Sequence, residues 1–174
     1  MDGERNHNVT NYKNSSFSSS WCGADKLVFT SYLHTQPDIY TISTSGKNLE
    51  QLTDGPGSKI TPTCSPDAQH IVFSSTISGE ADLYNLPTGS RKATRIVKAL
   101  GIDLNPSFSP DGSEIVYASE MSGNLHLFKV PASGGAAQRL TYIGYQNDMP
   151  NWSPMADKIV FAGRDMGTFD IFIM

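Results

Sequence analysis

The chain has 174 residues, a net charge of −4 and a pI near 5.4. This acidic balance argues against a nucleic-acid partner, which would require a basic face, and no apolar run approaches the ~18 residues that a membrane span needs. The start, MDGERNHNVT, lacks the basic and apolar regions of a secretory signal, although a mature secreted chain would also lack them.

Short motifs recur every 44 residues. Pro66, Pro110 and Pro154 of the Ser-Pro motifs keep this spacing. The same step separates four apolar triplets, at residues 27–29, 71–73, 115–117 and 159–161. It also separates four Asp-Ile-Tyr-like motifs, at residues 38–40, 82–84, 126–128 and 170–172. A period this strict indicates one supersecondary unit copied about four times. We therefore predict a single domain over residues 1–174, with units at approximately 18–53, 62–97, 106–141 and 150–174 plus 1–10.

The N-terminal segment resembles the end of a unit. Residues 1–10 are similar to the hairpin and last strand at residues 45–53, and Val9-Thr10 stands where Leu52-Thr53 stands. The first unit is one residue short between Trp21 and Leu27, which accounts for the offset. The sequence thus predicts an isolated outer strand before the first complete unit.

The third unit shows the order of strands. It contains an extended inner strand, a Pro-Asp-Gly turn, a β-branched second strand, a third strand that begins to alternate and a short polar fourth strand, at residues 105–109, 110–112, 114–118, 126–130 and 138–141. Helical periodicity is absent, and Gly or Pro interrupts the chain about every ten residues. Four antiparallel strands of falling hydrophobicity, repeated at a constant step, predict an all-β propeller of four blades.

The fourth unit ends at residues 170–174, at the end of its third strand. In one interpretation, residues 6–10 pair with residues 169–174, complete the last blade and close a four-bladed ring. In the other, the chain is part of a larger ring. We favour the closed ring because it covers strand edges that would otherwise invite aggregation, although four blades is the low end of the usual range.

The two cysteines, Cys22 and Cys64, are too few for a disulfide scaffold. Alignment of Cys64 with Trp21 and Trp152 places it on the face of the large residues, and Cys22 would face the other way in an extended strand. We expect Cys64 to be a buried free thiol.

Motifs that carry chemistry are missing from the sequence. It has no Gly-x-Ser-x-Gly elbow, no His-Glu-x-x-His and no glycine-rich phosphate loop. The four histidines occupy different repeat positions, so they share no ligand geometry. The repeated polar residues Asp38, Asp82, His126 and Asp170 open the third strands, where we expect each carboxylate to accept hydrogen bonds from its own adjacent turn. The sequence predicts no enzyme, no metal site and no cofactor.

Four loops connect an outer strand to the next inner strand, at residues 10–19, 53–61, 97–105 and 141–149. They differ in sequence while the strands repeat, which is typical of recognition by loops on a rigid scaffold. Partner-binding candidates at this mouth of the propeller are Lys59, Asp103, Asn105, Tyr145, Gln146, Asn147 and Asp148, with Tyr145 as an aromatic anchor. The alternative is that these are merely solvated loop residues.

The combination of Pro-x-Trp/Phe-Ser-Pro-Asp-Gly, an apolar triplet, Asp-Ile-Tyr and Arg-Leu-Thr resembles the TolB-type propeller repeat, most closely over residues 104–153. The resemblance implies a periplasmic, non-enzymatic part of the Tol-Pal cell-envelope system that binds the peptidoglycan-associated lipoprotein Pal at its mouth. Members of that family have six blades and a separate N-terminal domain, whereas this sequence has four units and no such domain. Contacts with TolA through that domain are therefore not expected. Met155-Ala156 also replaces the Asp-Gly turn in the last unit.

Two other functions are also compatible with the sequence. The chain could be an accessory propeller, similar to the gating propellers of prolyl-oligopeptidase-like peptidases, which requires a hydrolase domain elsewhere in the gene. It could also be a trimmed or designed repeat array without a ligand.

Overall fold

The computed structural model describes residues 7–98 and 100–174; residues 1–6 and Ala99, which belongs to mouth loop 97–105, lie outside the described residues. The fold is all-β, and four antiparallel sheets follow one another along the chain as the blades of a propeller, as predicted. Within the described residues, no helix is long and apolar enough to cross a membrane.

The strands of each blade run from the innermost to the outermost in chain order. Blade 1 contains β1 (Ser16–Trp21), β2 (Lys26–Ser31), β3 (Asp38–Ser43) and β4 (Glu50–Gln51). Blade 2 contains β5 (Lys59–Cys64), β6 (His70–Ser75), β7 (Asp82–Pro87) and β8 (Thr94–Arg95). Blade 3 contains β9 (Asp103–Phe108), β10 (Glu114–Ser122), β11 (Asn124–Pro131) and β12 (Gln138–Arg139). Blade 4 contains β13 (Gln146–Trp152), β14 (Ile159–Arg164) and β15 (Asp170–Ile173).

The repeated Ser-Pro-Asp motif forms the turn between the inner and second strands. In blade 3 the Ser109 hydroxyl donates to Asp111 Oδ1 at 2.6 Å and accepts from the Glu114 amide at 3.0 Å. The Ser113 amide also donates to Asp111 Oδ1, at 3.0 Å. These hydrogen bonds, that from Ser109 above all, lower the pKa of Asp111 to about 2. Ser-Pro-Asp ties the two strands together at the same point of blades 2 and 3, and blade 4 keeps the Ser-Pro part of the motif.

Each inner strand carries a β-bulge at the same repeat position. The residues at the bulges, Ser18, Thr61, Asn105 and Met149, all have a positive φ of 51° or 52°. The pairing register with the second strand shifts at each of them. With their neighbours, these residues line a single central cavity of about 260 Å³. The bulges therefore bring the inner strands of all four blades to one axis.

Apolar side chains of the second and third strands fill the joints between blades. Between blades 2 and 3, Val72 and Leu83 pack against Ile115 and Tyr117, and all four are almost fully buried. Such a joint has protein on both faces of the second strand, which explains the uninterrupted β-branched runs in the sequence. In every blade an aromatic pair also joins the second and third strands, with ring centroids 5.5–6.2 Å apart.

A disulfide connects blades 1 and 2, so the prediction of a free thiol at Cys64 was wrong. Cys22 and Cys64 are bonded, with their Cα atoms 5.2 Å apart and 42 residues between them in sequence. The error came from treating Cys22 as part of an extended strand. Strand β1 ends at Trp21, so the alternation of side chains does not extend to Cys22, which turns toward blade 2.

The predicted pairing of residues 6–10 with residues 169–174 was also wrong. Residue 6 is outside the described part; residues 7–10 lie on blade 1, where Val9 packs against Phe29, Tyr40 and Ile42. Inter-strand contacts join β1 to β5, β5 to β9 and β9 to β13, whereas none joins β13 to β1 among the described strands. The four blades therefore form an open arc, and the N-terminal segment buries an apolar side chain on the blade that follows it directly.

Candidate partner-binding face

The mouth of the propeller is the end at which the inner strands begin. In blade 4, Gln146 at the start of β13 pairs with Arg164 at the end of β14. The hairpin between β14 and β15 is therefore at this end, together with loop 141–149. The Ser-Pro turns are at the opposite end of the blades. Any surface built from the variable loops must include the mouth ends of second and third strands as well.

Three of the seven candidate residues occupy one repeat position and are buried. Lys59, Asp103 and Asn147 are spaced by 44 residues, each at the mouth end of an inner strand, and none is more than 4% exposed. Lys59 Nζ lies 3.0 Å from Asp38 Oδ1 of the preceding blade and donates to the Gly55 carbonyl at 2.6 Å. Such burial gives these side chains a structural role beneath the mouth, and partner contact by them stays a prediction.

The repeated polar residues at or near the start of the third strands complete these joints. Asp38 accepts a hydrogen bond from the Thr53 hydroxyl at 3.0 Å, and His126 Nδ1 lies 3.2 Å from both Thr141 Oγ1 and Asn147 Nδ2. Of the expected bonds to the residue's own adjacent turn, the structure shows the one from Ser78 to Asp82. The other hydrogen-bond and ion-pair partners of these residues come from the outer end of the same blade and from the next blade. A contact between two blades could not be predicted from the sequence of a single repeat.

Asp103 is the exception among the three joints. It is fully buried, and neither carboxylate oxygen has a hydrogen-bond partner among the described residues. The pKa of Asp103 is raised to about 6, mainly by burial and also by the negative charge of Asp82, against the opposing effects of the Ser119 hydroxyl and the Arg95 charge. The joint between blades 2 and 3 therefore contains a carboxyl group that titrates near neutral pH.

The other four candidates lie together at the mouth of blades 3 and 4. Tyr145 is 60% exposed. Gln146, Asn105 and Asp148 are half-buried, and Asn105 Nδ2 donates to Asp148 Oδ1 at 2.7 Å. This bond crosses from one inner strand to the next and links the two blades beside the axis. The seven predicted candidates therefore divide into four neighbours at the mouth of blades 3 and 4 and three residues buried in the joints between blades.

Arg164 was missed by the sequence reasoning. Its guanidinium lies over the ring of Tyr145 at 5.3 Å and over that of Phe169 at 5.4 Å. Nearby, Arg139 lies over the ring of Tyr142 at 5.0 Å. We call the set formed by the half-buried Arg164 and the exposed Tyr142, Ile143, Tyr145, Met166 and Phe169 the aromatic patch. The two tyrosines of loop 141–149 indicated an aromatic surface from the sequence alone. The stacking of Arg164 could not be predicted, because it requires the loop and the β14–β15 hairpin to lie close together in space.

A cavity of about 440 Å³ opens beside the aromatic patch. Its lining is mainly apolar and includes Leu140, Ile143, Phe161 and Phe172, with Arg164 among its polar members. The planar guanidinium of an arginine can donate two parallel hydrogen bonds to a carboxylate. The apolar and aromatic surface beside it can contact an apolar group of the same ligand. This part of the mouth can therefore bind a ligand that carries both a carboxylate and an apolar group.

The repeated four-stranded blades, the bulged inner strands around one axis and the polar joints define a β-propeller repeat protein. The TolB beta propeller domain model matches residues 1–174. The chain belongs to the TolB beta propeller domain family. A comparison with curated protein sequences gives no significant match.

Solved structures of TolB-type proteins share this fold. TolB from Acinetobacter baumannii is 26% identical, with a TM-score of 0.91 over 100% of this chain and 44% of its own. A TolB-type protein from Agrobacterium tumefaciens is 24% identical, with a TM-score of 0.77 over 86% of this chain and 57% of its own. The chain thus spans about half the length of the TolB structures that it resembles.

The same fold occurs in a larger hydrolase. A puromycin-hydrolyzing peptidase from Mycobacterium tuberculosis is 15% identical, with a TM-score of 0.72 over 95% of this chain and 29% of its own. An identity this low shows a common propeller fold and carries no information about activity.

Proposed function

We propose that this chain is a non-enzymatic protein-binding propeller of the TolB type, and that it binds a Pal-type lipoprotein domain of the Tol-Pal system through its mouth. The observation that carries the proposal is the aromatic patch, which lies on the mouth of a TolB-family propeller. Tyrosine, arginine and methionine are enriched in the cores of protein interfaces, and lysine and glutamate are depleted. The patch has that composition.

The geometry of Arg164 supports a protein ligand with an acidic residue. Stacking between Tyr145 and Phe169 holds the guanidinium in place, so less side-chain entropy is lost when it binds a carboxylate. No ion pair joins Arg164 to a carboxylate in the described residues. Asn105 and Asp148, linked to each other, supply polar contacts nearer the axis.

The disulfide supports a periplasmic location. Stable disulfides form in secreted, extracellular and periplasmic proteins and are rare in the cytosol of mesophiles. The Cys22–Cys64 bond joins two blades and is nearly buried, as a structural disulfide would be. Periplasmic residence is therefore part of the proposal, in line with the TolB family.

An accessory propeller of a hydrolase is the second candidate. It stays a candidate because a propeller of this fold also belongs to the much longer chain of the puromycin-hydrolyzing peptidase. That function would require Ser, Asp and His of a hydrolase domain encoded next to these blades. The flanking coding sequence separates the two candidates, because only the second demands such a domain.

Calorimetric titration with a purified Pal-type domain tests the proposal. We expect binding at tens of micromolar or tighter, and a loss of about 10-fold or more in affinity for Tyr145→Ala and Arg164→Ala, since truncation of a central aromatic or arginine anchor typically has that effect. Met155→Ala is the matched control, because Met155 is 82% exposed but lies at the opposite end of blade 4. Absence of binding at these concentrations, or equal losses for all three variants, would count against the proposal.

A further inference from the structure

The three joints between blades share one polar position on the inner strand. Its occupants are spaced by 44 residues and are at most 4% exposed: Lys59, Asp103 and Asn147. Across each joint, the preceding blade contributes a buried residue at or near the start of its third strand: Asp38, Asp82 and His126. These facing residues keep the same spacing, so the three joints can be compared directly.

In two of the joints the inner-strand residue is a hydrogen-bond donor. Lys59 Nζ lies 3.0 Å from Asp38 Oδ1 and also donates to the carbonyl oxygen four residues before it, at 2.6 Å. Asn147 Nδ2 lies 3.2 Å from His126 Nδ1 and donates to the carbonyl oxygen four residues before it, at 2.9 Å. A donor at this position therefore connects the loop before its own strand with the third strand of the preceding blade.

Asp103 cannot act as a donor while it is ionised, because a carboxylate has only acceptor oxygens. Its side chain is fully buried, and neither oxygen has a hydrogen-bond partner among the described residues. The residue across the joint is a second carboxylate, Asp82, and its negative charge adds to the effect of burial in raising the pKa of Asp103. A buried carboxylate without a partner is unfavourable, and a proton both neutralises it and turns it into a donor.

Groups from both blades surround Asp103. Asp82 of β7 forms an ion pair with Arg95 of β8. From β10, the Tyr117 phenol is fully buried, and its pKa is raised by burial and by the charge of Asp103. The other acidic, basic and imidazole groups on the strands packed against β9 and on the loop before β7 are exposed or bonded elsewhere: Lys59, His70, Glu80, Glu114, Glu120 and Asp148. Ionised Asp103 would thus add a second negative charge to a joint in which Arg95 is already paired with Asp82.

We propose that the joint between blades 2 and 3 is closed only while Asp103 carries a proton, so that this joint opens as the pH rises and the other two do not. The protonated carboxyl supplies the donor that Lys59 and Asn147 supply in the other joints, directed across the joint at Asp82. Loss of the proton leaves two facing carboxylates and no donor. That state favours an open joint, in which water can reach Asp103.

Opening of this joint alters the mouth of the propeller. Asn105 follows Asp103 by two residues and donates to Asp148 of blade 4 at 2.7 Å. Strand β9, which carries both Asp103 and Asn105, therefore connects the joint to blade 4. Movement at the joint changes the position of blades 3 and 4 relative to blades 1 and 2. The pH thus controls the shape of the mouth through a buried group, without titration of an exposed residue.

Two backbone amides report whether their joints are closed. The Asp103 amide donates to the Ala81 carbonyl of blade 2 at 2.7 Å, and the Lys59 amide donates to the Pro37 carbonyl of blade 1 at 2.9 Å. Hydrogen exchange of both amides is followed by NMR at pH 5 and pH 8 and corrected for the intrinsic rate at each pH. We expect the protection of the Asp103 amide to fall about 10-fold or more between these values, and that of the Lys59 amide to stay unchanged. An equal pH response of the two amides would overturn the proposal.

Asp103→Asn is the matching variant, because its side-chain amide can donate as that of Asn147 does. The backbone amide of residue 103 should then be protected equally at both pH values. Asp25→Asn, at an exposed position in the turn between β1 and β2, is the control and should keep the response of the native chain. A response that persists in Asp103→Asn would show that another group opens the joint.

NMR titration of the side-chain carboxyl carbon of Asp103 is a second test, made on the native chain. We expect its chemical shift to change with a midpoint near the pKa of about 6. A carboxyl group that is already ionised at pH 5 would contradict the proposal. Protection of the Asp103 amide at pH 8 that requires added Na⁺ or Ca²⁺ would also contradict it, because a bound cation would then take the place of the proton.

Discussion

Lys59 Nζ lies 3.0 Å from Asp38 Oδ1 across the joint between blades 1 and 2, and both side chains are almost completely buried. Removal of one member of a buried ion pair leaves an uncompensated charge and typically costs about 3–5 kcal/mol. We therefore expect Lys59→Met to lower the free energy of unfolding by about that amount, as measured by urea denaturation.

The exposed pair Lys158 and Asp157 is the control for this prediction. Lys158→Met should change the free energy of unfolding by less than about 1 kcal/mol, because surface ion pairs contribute little. Equal effects of the two substitutions would mean that the buried joint does not hold the blades together.

Asp103 should make the stability of the protein depend on pH. Its folded pKa of about 6 lies above the value of about 3.9 for an unfolded Asp, so its stabilising contribution is present below pH 4 and is lost as the pH rises through 6. Asp103→Asn, which stays neutral, should therefore stabilise the protein at pH 7.5 by about 2 kcal/mol relative to the native chain.

Urea denaturation at pH 4, 6 and 7.5 checks this expectation. The difference between the Asn variant and the native chain should grow with pH between the first and last of these values. A difference that does not vary with pH would show that Asp103 has an ordinary pKa in the folded protein.

The second strands should contribute more to stability than the outer strands. Phe73→Ala or Tyr117→Ala should cost about 3–5 kcal/mol, because each removes a buried aromatic ring from a joint between blades. Leu52→Ala, at the end of an outer strand, should cost clearly less. Thermal and urea unfolding of the three variants would contradict the assignment of inner and outer positions if the order were reversed.

Two alanines occupy a backbone conformation that favours glycine. Ala68 and Ala156 both have φ near 58°, at the position that Gly112 occupies with φ of 74° in blade 3. Ala68→Gly should stabilise the protein by about 0.5–1 kcal/mol, since relief of the left-handed strain exceeds the added entropy of the unfolded chain. The reciprocal Gly112→Ala should destabilise it, and a loss of stability in both variants would refute the explanation.

Sequence periodicity predicted the fold well because the features that define a blade are local. The Ser-Pro turns, the apolar triplets and the short polar fourth strands each lie within one repeat, and blade 3 follows the predicted order. Ring closure was predicted wrongly because the angle between blades is not a property of one repeat. Cys22 was misplaced because its strand ends one residue earlier, at Trp21.

The candidate site was predicted less well because it depends on neighbours in space. Lys59, Asp103 and Asn147 are polar and adjoin loops, which suggested exposure, yet each faces the preceding blade. Tyr145 could be selected as an exposed aromatic residue from its loop alone. Arg164 could not, because its significance arises from stacking on Tyr145 and Phe169, which are contributed by different segments.

Hydrogen exchange in the presence of a Pal-type domain tests the central claim most directly, because it locates a bound protein on the propeller. We expect slower amide exchange in residues 141–149 and 164–170, which form the mouth of blades 3 and 4. Residues 66–70 and 110–114, in the Ser-Pro turns at the opposite end, should exchange at an unchanged rate. Protection confined to those turns, or no protection at saturating partner, would contradict the proposed function of the mouth.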